Sequence, residues 1–264
     1  MVVAFGVSLG AAIGLLRPTD HVPLGAVQIA SAVQVVNGKA GSAARATEQV
    51  TYEDKNLELL GTYVVTDGAL PGDDTVPTAA RAVWEVTAEL LPREQLAEIR
   101  QLNIVTDDAN GTLAMVHRST VSTNGWILSI DTAESNAVLQ STLVHELAHM
   151  LTLRRDDLAA TASTVTCRGV RIEIGCARNG SALADWAKAF WGDGVEPARY
   201  EADRFVTRYA ATSVHEDLAE SFLVYVLGGD GKASAEAVRK LAFFDSRPEF
   251  VTARAEIRAN LHLA

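Results

Sequence analysis

Basic charge is the scarcest resource of this chain. Lys and Arg total 23 against 33 Asp and Glu, giving a net charge of −10, and no basic run is longer than two residues. Phosphate binding needs a basic face, so a nucleic-acid partner is excluded. Cysteine is far sparser still, with only Cys167 and Cys176, and their spacing excludes a CxxC zinc or redox motif. No period of 20 to 50 residues repeats, which excludes a solenoid. The apolar run Val2 to Leu16, broken only by Ser8, is shorter than the roughly 20 residues of a membrane span. It also lacks the basic stretch that opens a signal peptide. What is present is a globular composition: 48% of residues are apolar and 21% charged, enough to build a core.

The first 50 residues read as an N-terminal apolar segment and a linker. Residues 2–16 are expected to be a degenerate export signal or a membrane anchor, with a buried strand or helix as the alternative. Ala30-Ser31-Ala32 has the form of a cleavage site but lies far from the apolar run, and Gly38 to Ala44 has linker composition. Residues 51–264 are expected to form one domain. The protein is placed outside the cytoplasm, secreted or membrane-anchored. There, Cys167 and Cys176 most simply close a small loop as a disulfide; in a cytosolic chain they would be two unrelated thiols.

Strands are expected at Gly61–Val65, Ile104–Thr106, Leu113–Val116 and Trp126–Ile130. Helices are expected from Thr78 to Leu91, from Pro92 to Arg100, and around Val144. An irregular stretch, Asp156 to Gly180, carries both cysteines. Beyond it, helices are expected at Ala182–Trp191, Glu196–Tyr209, Glu216–Leu227, Ala233–Phe243 and Pro248–Leu261. The order is a small antiparallel sheet followed by a mostly helical half, an α+β arrangement.

The chemistry centres on His145-Glu146-Leu147-Ala148-His149. Positions i and i+4 share a helix face. Two imidazoles so placed can grip one metal ion, and the glutamate beside the first can reach a water on it. The competing reading is a buried amphipathic helix with two hydrogen-bonded core histidines. A catalytic zinc needs a third protein ligand, and the extended motif with a histidine six residues later is absent, because that position is Arg155. The candidate lies in Tyr209 to Phe222. On a helix starting near Glu216, Glu216 and Glu220 are one turn apart: Glu216 can bind the metal, and Glu220 can accept a proton from a ligand imidazole. His215 is the local rival as ligand, and the other alternative is a solvated acidic helix start capped by Ser213. Trp186 and Trp191 read as packing residues. Arg154-Arg155-Asp156-Asp157 reads as a solvated charge cluster, and His117 and His262 as surface histidines.

HExxH followed later by Glu-x-x-x-Glu resembles the gluzincin zinc metallopeptidases. The spacing of Tyr209, Glu216, Ala219 and Glu220 is similar to the anthrax lethal factor and Pro-Pro endopeptidase-like branch. The wider chain resembles a group of exported bacterial zinc metallopeptidases, in which a cysteine pair and an aromatic-rich segment like Ala182 to Trp191 lie between the two motifs. The resemblance covers Leu143 to Phe222, extends weakly to the strands from Ile104, and does not reach residues 1–60. It implies a zincin-like fold, one Zn²⁺ per chain held by His145, His149 and Glu216, and Glu146 as general base. It also implies that Tyr209 reaches into the site to stabilise the oxyanion. The expected activity is peptide-bond hydrolysis by a monomeric endopeptidase acting on a peptide or protein substrate, with membrane association through residues 2–16. The alternative is an anchored extracytoplasmic binding or structural module with a non-catalytic zinc.

Overall fold

The computed structural model describes residues 34–35, 47–50, 52, 57–106, 113–132, 136–159, 167–172, 174–192, 195–229 and 234–263. The expected export segment at residues 2–16, the Ala30-Ser31-Ala32 site and the linker lie outside these residues.

The architecture is α+β. Four strands, β3 (Glu58–Val64), β4 (Ile99–Thr106), β5 (Ala114–Arg118) and β6 (Trp126–Asp131), form one sheet in the order β3-β4-β6-β5. The sheet is mixed, not antiparallel as expected, because β4 and β6 run parallel while the other two pairings are antiparallel. The chain leaves β4 for the edge, forms β5, and returns through a turn closed by Ser119 N–H donating to Gly125 O at 2.7 Å. That return slots β6 between β4 and β5, so Trp126–Ile130 is interior and β5 is an edge. β4 also starts at Ile99, five positions before the expected Ile104, and limits the preceding helix α2 to Arg93–Glu98.

Two smaller sheets flank this one. β1 (Gln34–Val35) pairs with β2 (Glu48–Gln49). In the stretch expected to be irregular, β7 (Leu158–Ala159), β8 (Val170–Ile172) and β9 (Gly175–Ala177) assemble in the order β7-β9-β8. A Cys167–Cys176 disulfide ties the approach to β8 onto β9, with Cα atoms 5.6 Å apart. Buried Glu48 of β2 accepts from Ser119 Oγ at 2.6 Å and Thr120 N at 2.6 Å.

Helix α3 (Asn136–Thr152) packs against β5 of the sheet, and α1 (Thr78–Leu90) and α5 (Val214–Leu227) pack on α3. Around α5 lie α4 (Ala182–Trp186), its π-helical continuation Ala187–Trp191, α6 (Ala235–Asp245) and α7 (Pro248–Asn260). Phe244 joins these elements, with ring centroids 5.3 Å from Trp186, 5.6 Å from Phe222 and 5.0 Å from Phe250. All four rings are fully buried, each contributing roughly 1.5–3 kcal/mol of hydrophobic stabilisation.

The helix expected over Glu196–Tyr209 does not form; only a short 3₁₀ turn, Tyr209–Ala211, appears there. Pro197 supplies no N–H, and long-range partners take the neighbouring backbone groups. Ala198 N–H donates to Ala211 O at 2.8 Å, and Arg204 O accepts from Lys240 Nζ at 2.8 Å. Among the described residues, no helix is long and apolar enough to cross a membrane.

Candidate metal centre

α3 is the central helix of the domain. Every residue from Thr142 to Met150 is buried, the signature of a helix covered on all sides. His145 and His149, one turn apart, bring their Nε2 atoms to 3.0 Å. α5 arrives with Ser213 as its cap, the hydroxyl accepting from Glu216 N–H at 3.2 Å. It ends at Gly228, whose φ of +85° is a left-handed conformation that suits glycine.

The two helices meet at the imidazoles. Glu216 Oε2 lies 2.9 Å from His145 Nε2 and 3.4 Å from His149 Nε2. Neither Glu216 oxygen receives a well-aligned hydrogen bond, so proximity here does not amount to pairing. On the far side of His145, Nδ1 and Glu220 Oε1 are 2.8 Å apart. Donation from Nδ1 to Glu220 leaves the Nε2 lone pair directed at the cluster. His149 Nδ1, by contrast, is buried without a partner.

Glu146 completes the group. One donor atom each from His145, Glu146 and His149 lies within a 4.8 Å sphere of mutual distances, and this buried trio can hold a metal ion. Glu216 also reaches this group, 2.9 Å from His145 Nε2. Both Glu146 oxygens are buried with no hydrogen-bond partner among the described residues. Burial pushes the Glu146 carboxyl up to about 8. Burial would also raise Glu216, but the adjacent His149 and His145 outweigh it and hold Glu216 well below the carboxylate range. His145 goes the other way: burial lowers it, yet the Glu216 and Glu220 carboxylates beside it carry it well above the usual imidazole value. Burial lowers His149.

Tyr209 lies over this cluster, its ring centroid 5.9 Å from that of His145. Its hydroxyl is buried and unpartnered, and burial, reinforced by the negative charge of Glu216, raises its pKa. His215, the rival ligand, stands aside. Its Nε2 is 3.5 Å from Glu216 Oε1, its Nδ1 is 3.0 Å from Ser213 Oγ, and burial lowers it to about 4. No protein-family model, curated protein or solved structure matches this chain.

Three expectations are corrected. His117 is no surface residue: it is 2% exposed, on β5, whereas His262 is exposed. The charge cluster is partly structural, since Arg154 forks onto Glu98 at 2.9 and 3.0 Å and Arg155 donates to Ser119 O at 2.6 Å. Trp186 and Trp191 do more than pack: both indole N–H groups donate to Asp217 Oδ2, at 3.1 and 2.9 Å. Lys240 Nζ meets Asp217 Oδ1 at 2.6 Å. A signal for this network existed in the sequence, because Lys240 falls one turn from Phe244 on the apolar stripe of α6.

Proposed function

We propose that this protein is an extracytoplasmic zinc-dependent endopeptidase of the gluzincin type. His145, His149 and Glu216 hold the metal, Glu146 acts as general base, and a zincin-like arrangement carries the site. One observation carries the reading: three lone-pair atoms, His145 Nε2, His149 Nε2 and Glu216 Oε2, converge to 2.9–3.4 Å of one another beside an unpaired buried carboxylate. A tetrahedron with bonds of about 2.0–2.1 Å has edges of about 3.3–3.4 Å, so two imidazoles and a carboxylate at these distances fit zinc.

Bound there, zinc supplies Lewis-acid chemistry and lowers the pKa of a water to about 7. Glu146 takes the proton of the attacking water at its carboxylate and returns it to the leaving amine. Glu220 holds His145 in the tautomer that offers Nε2. The Tyr209 hydroxyl, with no other partner, donates to the substrate oxygen as it gains charge, a contribution of about 3 kcal/mol. β5 offers a sheet edge for an extended peptide, and the Val116 backbone on that strand is close enough to act on the Glu146 carboxyl. The disulfide fits an oxidising compartment.

One observation favours a second reading, a structural zinc in a binding module. His145, Glu146, His149 and Glu216 are each at most 2% exposed, and closed sites are typical of structural zinc. A peptide library incubated with the purified, zinc-loaded protein separates the two. A peptidase cleaves it, stops in chelator, and stops in Glu146→Gln while that variant keeps its zinc. A zinc-loaded wild type that cleaves no peptide sinks the endopeptidase reading in favour of the module.

A further inference from the structure

Asp217 follows Glu216 in sequence but points about 100° around the α5 axis, away from the imidazoles. It is fully buried. Three donors from three other segments converge on its carboxylate: Trp186 Nε1 of α4 at 3.1 Å, Trp191 Nε1 of the π-helical turn at 2.9 Å, and Lys240 Nζ of α6 at 2.6 Å. Lys240 is itself buried, and its ammonium is tied down a second time by Arg204 O at 2.8 Å. The Phe205 ring sits beneath that ammonium at 4.8 Å.

We infer that Asp217, with Lys240, Trp186 and Trp191, is the positioning unit that sets the rotation of α5 and so aims Glu216 and Glu220 at His145. The inference rests on the metal-site reading above and adds residues to it that touch neither metal nor substrate. Glu216 and Glu220 lie one turn apart on one face of α5, and both must meet the same imidazole, at 2.9 and 2.8 Å on its two nitrogens. That double contact tolerates little rotation. At the first turn of α5, packing of apolar side chains is weakly directional, whereas an Oδ2 held by two indoles and an Oδ1 held by an ammonium fix both azimuth and height. Hydrogen bonds to a charged group are the strong class, and outer partners of this kind tune metal affinity.

The test measures Zn²⁺ alone, by competition with a chromophoric chelator, together with the visible d–d spectrum of the Co²⁺-loaded protein and urea stability. The double variant Asp217→Asn/Lys240→Met removes the charge pair without leaving a lone buried ion, and its Zn²⁺ affinity is expected to fall about 10–100-fold, with an altered Co²⁺ spectrum. Trp191→Phe keeps the ring and removes one donor, and is expected to lose about 10-fold. This variant keeps the question open to measurement if the double variant does not fold. Asp217→Asn/Lys240→Met, or Trp191→Phe where that one alone folds, with wild-type zinc affinity and an unchanged Co²⁺ spectrum overturns the positioning role. A wild type that binds no zinc overturns the metal-site reading instead, so the two failures are distinct.

Discussion

The two faces of the four-stranded sheet bury polar groups in opposite ways. On the face turned to α3, Leu102, Ile104, Val116, Leu128 and Ile130 join the apolar core, and the polar groups beyond them belong to the metal centre. On the other face, buried Gln101, Asn103 and Ser129 alternate with apolar residues. There the polar groups satisfy one another. Gln101 exchanges hydrogen bonds with the Glu48 backbone at 2.7 and 2.8 Å and donates to Asn103 at 2.9 Å, and Asn103 donates to the Tyr52 hydroxyl at 3.0 Å. At the metal centre Glu146, Glu216, the Tyr209 hydroxyl and His149 Nδ1 are buried and unsatisfied. An unpaired buried polar atom costs about 1–3 kcal/mol. A closed network explains its own burial, while the groups left without partners among the described residues gather where a metal ion could be held.

That contrast is open to breakage from both sides. The largest effect is expected on the metal side. Glu216→Ala should lose zinc and, with it, hydrolysis, as read by metal analysis after dialysis; full zinc occupancy in this variant moves the third ligand elsewhere. Glu146→Gln should keep its zinc while kcat/KM falls about 10²–10⁴-fold, the usual share of a general base.

The next effect is smaller and tests the one member of the back face that breaks its own rule. His117 is buried, both ring nitrogens lack partners among the described residues, and the Tyr52 ring lies 6.0 Å away. Burial lowers His117 to about 4 from 6.5. The unfolded chain therefore binds the proton first as pH falls. The stability that neutral His117 confers is complete above about pH 6.5 and drains away between 6.5 and 4, by up to about 3 kcal/mol. Urea unfolding of wild type and His117→Leu across that range should show the variant losing less. Parallel curves for the two proteins place the acid sensitivity on other groups.

The sequence shows the metal helix plainly because its chemistry is local. The spacing of His145 and His149 and the run of apolar neighbours are set within one helix. Glu216 and Glu220 are legible for the same reason, as a pair one turn apart. What escaped is non-local. Asp217 looks like a dipole-favoured acid at a helix start until Lys240 and two indoles arrive from other segments. His117 looks like a surface residue because nothing nearby in sequence buries it. The strand order is hidden too: the insertion of β6 between β4 and β5 depends on pairing partners, and local alternation does not record which neighbour runs parallel. The helix expected at Glu196–Tyr209 failed where long-range bonds outbid propensity, with Lys240 holding Arg204 O.

The smallest effect expected comes from the satisfied side. Asn103 is 1% exposed; it accepts from Gln101 Nε2 at 2.9 Å and donates to Tyr52 at 3.0 Å, with Ser129 Oγ at 3.4 Å. Asn103→Ala removes one of the two acceptors of the Gln101 amide nitrogen and opens a small void, which should cost about 1–3 kcal/mol in urea unfolding. Zinc affinity should stay at the wild-type value, because Asn103 lies on the face of β4 opposite Leu102 and Ile104, which join the core that holds α3. The two measurements together decide whether the faces are independent. A stability loss with intact metal binding keeps the back face a scaffold. A joint loss means that the network behind the sheet shapes the centre in front of it, and the division between satisfied and unsatisfied burial then ceases to mark where function lies.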